Sequence, residues 1–93
     1  MATLFEANEA YKAGKHDEAI FLIGQAALEG PRLYSPWLLL GTIYRTEGKV
    51  APAQTAYEKA LRILDENGDP LLSTHEQTEE KAHIRAQIDS LQK

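Results

Sequence analysis

The chain matches itself when its first third is laid over its second. Ala7 falls on Gly41, Gly14 on Gly48, Lys15 on Lys49, Ala19 on Ala53, Ile23 on Tyr57 and Ala26 on Ala60. Small residues meet small ones and large apolar residues meet large ones, so two units share the same packing requirements at the same places. Self-similarity at a period of about 20–50 residues marks a stacked architecture, in which each unit buries its apolar face only against its neighbours.

Local chemistry makes the unit helical. Gly14 and Gly48 suit the left-handed backbone that ends a helix, and Asn67-Gly68 stops a later one. Asp17 and Glu18 fall in the first turn of the next helix, where negative charge meets the positive end of the helix dipole. Ser35 before Pro36 reads as an N-cap and first helical residue, and Asp69 before Pro70 repeats it one period later. Pro52 sits near a helix start, where its missing donor costs little. Gly41, Ala53 and Ala60 are small enough to let two helices approach closely. The pattern predicts helices over residues 2–13, 16–28, 36–47, 51–66 and 71–91, and no strand.

The second unit reads Trp37-x2-Leu40-Gly41-x2-Tyr44, then Ala53-x3-Tyr57-x2-Ala60. This resembles the tetratricopeptide repeat (TPR) signature, with Tyr57 where that family often has Phe. The first unit is a weaker copy, with Thr3 opposite Trp37, Glu6 opposite Leu40 and Ala10 opposite Tyr44. It keeps residues 7–14, Ala19 and Ala26, and has Pro31 where the family places its closing proline; the second unit has Asp65 there. The resemblance implies an all-α fold of about five helices, with antiparallel pairs stacked as a short right-handed α-solenoid. One domain of 93 residues is expected, divided into a first repeat (1–33), a second repeat (34–67) and a capping helix (68–93).

The last segment departs from the pattern. Leu71 matches Trp37 and Leu72 matches Leu38, but His75 stands opposite Gly41 and Thr78 opposite Tyr44, and no glycine turn follows. Ser73-x-x-Glu76 forms a capping-box pattern that competes with Asp69 for the helix start. Ile84, Ile88 and Leu91 make one apolar stripe, expected to pack on the fourth helix and close the core.

In the family that the chain resembles, the first helices of successive repeats line a concave groove where partners bind. Carried over, this gives ladders of Leu4, Leu38 and Leu72; Asn8, Thr42 and Glu76; Tyr11, Arg45 and Glu79; and Lys12, Thr46 and Glu80. Leu4, Asn8, Tyr11, Lys12, Leu38, Thr42, Arg45, Leu72 and Glu76 are the groove candidates. Leu38 also belongs to a wholly apolar turn and has a second reading as core. Some family members clamp a chaperone's acidic C-terminus with a lysine, two asparagines and further basic residues. Only Asn8 is in register for that set, and Leu4, Leu39, Asp69 and Ser73 fill the other slots. A groove of leucines with one or two cations suits a peptide or amphipathic helix instead.

Composition excludes other classes. A net charge of −4 lacks the basic face that phosphate binding needs, so no nucleic-acid partner is expected. With no cysteine, neither disulfides nor thiolate metal sites can form. The longest apolar runs, residues 19–23 and 37–40, are too short for a bilayer, and the first residues lack the pattern of a signal peptide; a cytoplasmic protein is expected. His75, Glu79 and His83 recur at every fourth residue, but in the string from His75 to Glu79 the second ligand histidine of the zinc-protease pattern is replaced by Glu79. His16 stands in a slot where the family often has an aromatic side chain. No enzyme, cofactor or metal is expected. The leading expectation is a protein-interaction module. The alternative is a self-associating structural protein that uses an exposed hydrophobic face, with Phe5, Phe21 and Trp37 as candidates.

Overall fold

Along the described residues five α-helices follow one another: α1 (Leu4–Lys12), α2 (His16–Glu29), α3 (Ser35–Thr46), α4 (Val50–Asn67) and α5 (Thr74–Ser90). They come from a computed structural model that describes residues 4–30 and 32–92. Among the described residues there is no strand. Residue 2 of the expected first helix, and Thr3 and Pro31 of the alignment, lie outside the described residues. Each helix packs chiefly on the next one in sequence. Only short turns connect α1 to α2 and α3 to α4, which leaves those pairs an antiparallel course. The overall extents are 35 × 35 × 18 Å, and the short dimension is about two packed helices thick.

The two tight turns are the same turn. Ala13 N–H donates to Glu9 O, Gly14 to Tyr11, Lys15 to Ala10 and Ala19 to Lys15 at 2.9–3.0 Å. Moved by one repeat, this becomes Glu47 to Ile43, Gly48 to Arg45, Lys49 to Tyr44 and Ala53 to Lys49 at 2.9–3.1 Å. Gly14 has φ 82° and Gly48 φ 78°, the left-handed backbone that lets the following amide reach back and satisfy a helix-end carbonyl. Sequence periodicity has become backbone periodicity.

The core forms two clusters. Ala7, Ala19, Ile23 and Ile43 pack together, flanked by Leu39 and Leu40, and so tie α1 and α2 to α3. Ala53, Tyr57, Ala60, Ile63 and Leu64 of α4 pack with Tyr34 and Ile84, flanked by Trp37, Leu38, Leu61, Ile88 and Leu91. α4 therefore carries the largest apolar face, since it lies between α3 and α5. Gly41 is buried against the Tyr57 ring: a Cβ built there would lie 2.9–3.0 Å from three ring carbons. The first unit fills the same pair of positions with Ala7 and Ile23, a slightly larger residue facing a smaller one.

Two sequence expectations about helix starts are corrected. Ser35 is the first residue of α3, not its N-cap; that place falls to Tyr34, which has helical dihedrals and no capping side chain. Asp69 does not open the last helix. Its carboxylate accepts the Leu71 N–H at 2.9 Å and its carbonyl accepts the Leu72 N–H at 3.0 Å, so the chain turns once before helix resumes. α5 starts at Thr74, where Ser73 Oγ accepts the Glu76 N–H at 3.1 Å and Glu76 Oε1 accepts the Ser73 N–H at 3.1 Å. Two amides at the N-terminal end are satisfied reciprocally there, against one for Asp69, and the better cap wins. Gln77 Nε2 then donates to the Asp69 and Leu72 carbonyls at 3.2 and 3.1 Å and seals the turn. Ser73→Ala is expected to lower unfolding stability by about 1 kcal/mol, and Asp69→Ala by less. Urea melts of the two variants check the order, and the reverse order would return the cap to Asp69.

Candidate functional site

The candidate surface is the α1–α3 side, and the turns described above set its register. From the N-terminal end of α1, Leu4, Asn8 and Tyr11 are half-buried and Lys12 is exposed. The Tyr11 ring stacks on His16, with centroids 4.6 Å apart. Lys12 lies 3.8 Å from Glu9, both well exposed, so this ion pair adds little stability and leaves the ammonium available.

On α3, Leu38 is half-buried and faces the cluster formed with α4, so its side chain serves the core. Thr42 is exposed; its hydroxyl lies 3.0 Å from the Leu38 carbonyl and 3.2 Å from the Tyr57 hydroxyl. This gives the phenol of a ring that is only 1% exposed a polar partner at the surface. Arg45 is exposed and donates from Nη1 to Gln87 Oε1 of α5, which joins the far ends of α3 and α5.

The third rung of each ladder is placed differently. Because α5 starts at Thr74 rather than at the expected position 71, Leu72 lies in the turn before it, packed against the α4 cluster. Glu76 is committed to the capping box. Glu79 pairs with His75 at 2.9 Å on an open surface. Candidate residues of α1 and α3 thus occupy equivalent helix positions, and those of the last segment do not.

Two features escaped the sequence reading. His16 Nδ1 lies 3.1 Å from Glu47 Oε2, linking the start of α2 to the end of α3, while Glu47 Oε1 is shielded from solvent and 3.4 Å from Lys49 Nζ without hydrogen-bond geometry. A cavity of about 340 Å³ opens between the α2–α3 and α4–α5 connections, lined by Arg32, Leu33, Tyr34, Asn67, Gly68, Asp69 and Pro70. Burial raises the Tyr34 phenol above its ordinary value, and the negative charges of Glu80 and Asp69 raise it further, so it stays a neutral hydroxyl at neutral pH. The alignment of the two units could have located neither, since one feature spans both units and the other depends on the late start of α5.

Among the described residues no three His, Asp or Glu side chains come together as a metal-ligating group, and no helix is long and apolar enough to cross a membrane. Compared with known proteins, the chain matches no family model, no curated protein and no solved structure.

Proposed function

We propose that this chain is a short tetratricopeptide-like α-solenoid, two repeats and a capping helix, that holds a peptide or amphipathic helix of a partner protein against α1 and α3. The observation that carries this reading is the identity of the two turns one repeat apart, in backbone hydrogen bonds as well as in residues. In the repeat register Asn8, Tyr11 and Lys12 on α1 correspond to Thr42, Arg45 and Thr46 on α3, which supports reading them as one binding surface. Such a surface offers side chains at helical intervals rather than a pocket around one reacting atom, and this suits binding rather than catalysis. Lys12 and Arg45 favour a ligand with acidic groups flanking an apolar stripe, and a cytoplasmic setting goes with the same reading.

Because Leu38 is built into the core, changing it tests the fold along with the groove. The cleaner variant is Lys12→Glu with Arg45→Glu, at two exposed positions. Peptides selected on the chain from a displayed random library supply the probe, and amide chemical shifts map where they sit. The expected result is perturbation centred on Tyr11, Lys12, Thr42 and Arg45, and at least tenfold weaker affinity in the double variant with unchanged circular dichroism. Perturbations centred on α2 and α4, or full affinity in the double variant, would overturn the groove reading.

A further inference from the structure

The outward stripe of α2 differs from that of α4 in a way the fold does not require. Asp17, Phe21, Gly24 and Leu28 recur at intervals of four, three and four residues, which places them on one face. All four are exposed, Phe21 to 63% and Leu28 to 79%. The matching positions of α4 are Ala51, Thr55, Glu58 and Arg62, also exposed. Exposure is therefore a property of this face in both units, and the second unit meets it with polar and charged groups where the first presents a phenylalanine, a glycine and a leucine.

Gly24 adds a second oddity. A Cβ there would meet nothing within 4 Å and its φ is unremarkable, so neither packing nor backbone conformation calls for glycine. Glycine weakens a helix interior relative to alanine. What glycine does supply is close approach by something outside the chain. Beside it lies a groove of about 300 Å³ walled by Gly24, Ala27, Leu28, Trp37 and Lys59, mainly apolar, with the Lys59 ammonium 5.9 Å from the Trp37 ring centroid.

We propose that a second copy of this chain docks on this face, α2 against α2 in antiparallel, with Phe21 of each copy entering the groove beside Leu28 of the other. The stripe is self-complementary in that sense only. A two-fold axis between Gly24 and Gln25 brings Phe21 to Leu28 of the second copy and sets Asp17 at the C-terminal end of that copy's α2, beside the turn that carries the exposed cation Arg32. Each apolar group then faces an apolar group, each of these charges faces its opposite, and the two residues on the axis are uncharged. A parallel pairing would instead set Asp17 on Asp17. One helix face with a side groove is a small interface, so the dimer is weak, with a dissociation constant on the order of 10–1000 µM. This surface lies on α2 and is separate from the α1–α3 groove, so the two proposals stand or fall independently.

Sedimentation over a wide concentration range tests the proposal with the chain as it is. The expected result is a mass rising from monomer towards dimer. Phe21→Ser and Leu28→Ser, both at exposed positions, should each weaken association at least tenfold with unchanged circular dichroism. Asp17→Arg and Arg32→Asp should each weaken it, and the two together should restore it. The absence of native cysteine provides an independent reading: Gly24→Cys should give a disulfide-linked dimer on mild oxidation, whereas Glu58→Cys, at the matching place on α4, should not. A wild-type chain that stays monomeric at millimolar concentration, a dimer indifferent to Phe21→Ser and Leu28→Ser, charge reversals that fail to compensate, or equal cross-linking at 24 and 58 would each overturn the proposal.

Discussion

Gly41→Ala is expected to destabilise the protein, and Gly24→Ala to stabilise it, although both glycines sit inside helices. Helix propensity alone favours alanine by about 1 kcal/mol at either position. At Gly24 nothing opposes that gain, because the new methyl group meets open space. At Gly41 the methyl group would lie 2.9 Å from the Tyr57 ring, and the ring is buried on all sides. Overpacking of this kind costs about 1–3 kcal/mol, which outweighs the propensity term. Gly41→Arg, which adds a buried charge to the clash, is expected to abolish folding. Tyr57→Ile alone should also cost about 2 kcal/mol or more through the space it leaves. Together, Gly41→Ala and Tyr57→Ile rebuild the pair that the first unit already uses at Ala7 and Ile23. Their combined cost in urea unfolding should therefore fall short of the sum by about 0.5–3 kcal/mol. Strict additivity would mean that the Gly41–Tyr57 contact does not decide the residue at 41.

Ile84→Ala is expected to release the last helix. Ile84 is the fully buried side chain of α5 and meets the α4 cluster around Leu64 and Ala60. The contacts that assist it are weaker, namely half-buried Ile88 and Leu91 and exposed links such as Lys81 to Asp65 at 3.1 Å. Losing a buried isoleucine costs about 2–5 kcal/mol, a large share of the roughly 5–14 kcal/mol that a domain of this length commands. The variant should lose helical circular dichroism equivalent to one helix before the rest melts. Removing residues 70–93 should go further, leaving Leu38, Leu61 and Leu64 without cover, so that the remnant aggregates. His83→Ala, one residue away and exposed, is the control and should melt like wild type. A truncated chain that is monomeric with full helicity per residue would make α5 an appendage rather than a lid.

Much of the helical layout was legible because backbone requirements leave sharp traces. Glycines at 14 and 48 and the small residues at 41, 53 and 60 answer to steric demands that few other residues meet, so helix number, tight turns and the Gly41 contact could be read directly. The start of α5 could not, because Asp69-Pro70 copies Ser35-Pro36 in letters only. Pro36 sits inside a helix that begins without a side-chain cap, and at 69 the aspartate closes a turn while Ser73 and Glu76 satisfy the helix end together. That displacement took Leu72 out of the last helix and put Glu76 in its capping box. Periodicity also could not assign Leu38, since residues 37–40 are all apolar and every helix face looks alike there. The α2 stripe was legible in principle, by setting Phe21 beside Thr55 and Leu28 beside Arg62, but only once both faces were known to be exposed.

Neighbour-only packing has a further consequence, for the order in which the chain gains and loses structure. Each helix meets mainly the helix before and after it, and the α4–α5 connection spans only residues 68–73. No distant segments must find each other before contacts reward them, so the entropy of loop closure is small at every step and folding should finish in roughly microseconds to milliseconds. Among the described residues the same locality leaves α1 and α5 without extensive packing on each other. α1 and α5 each lean chiefly on one neighbour where α3 and α4 lean on two, so opening begins at the rims and proceeds inward by single helices. Amide exchange should be slowest in the Ile63–Leu64 turn of α4, the stretch with buried neighbours on both sides, and should quicken towards both termini.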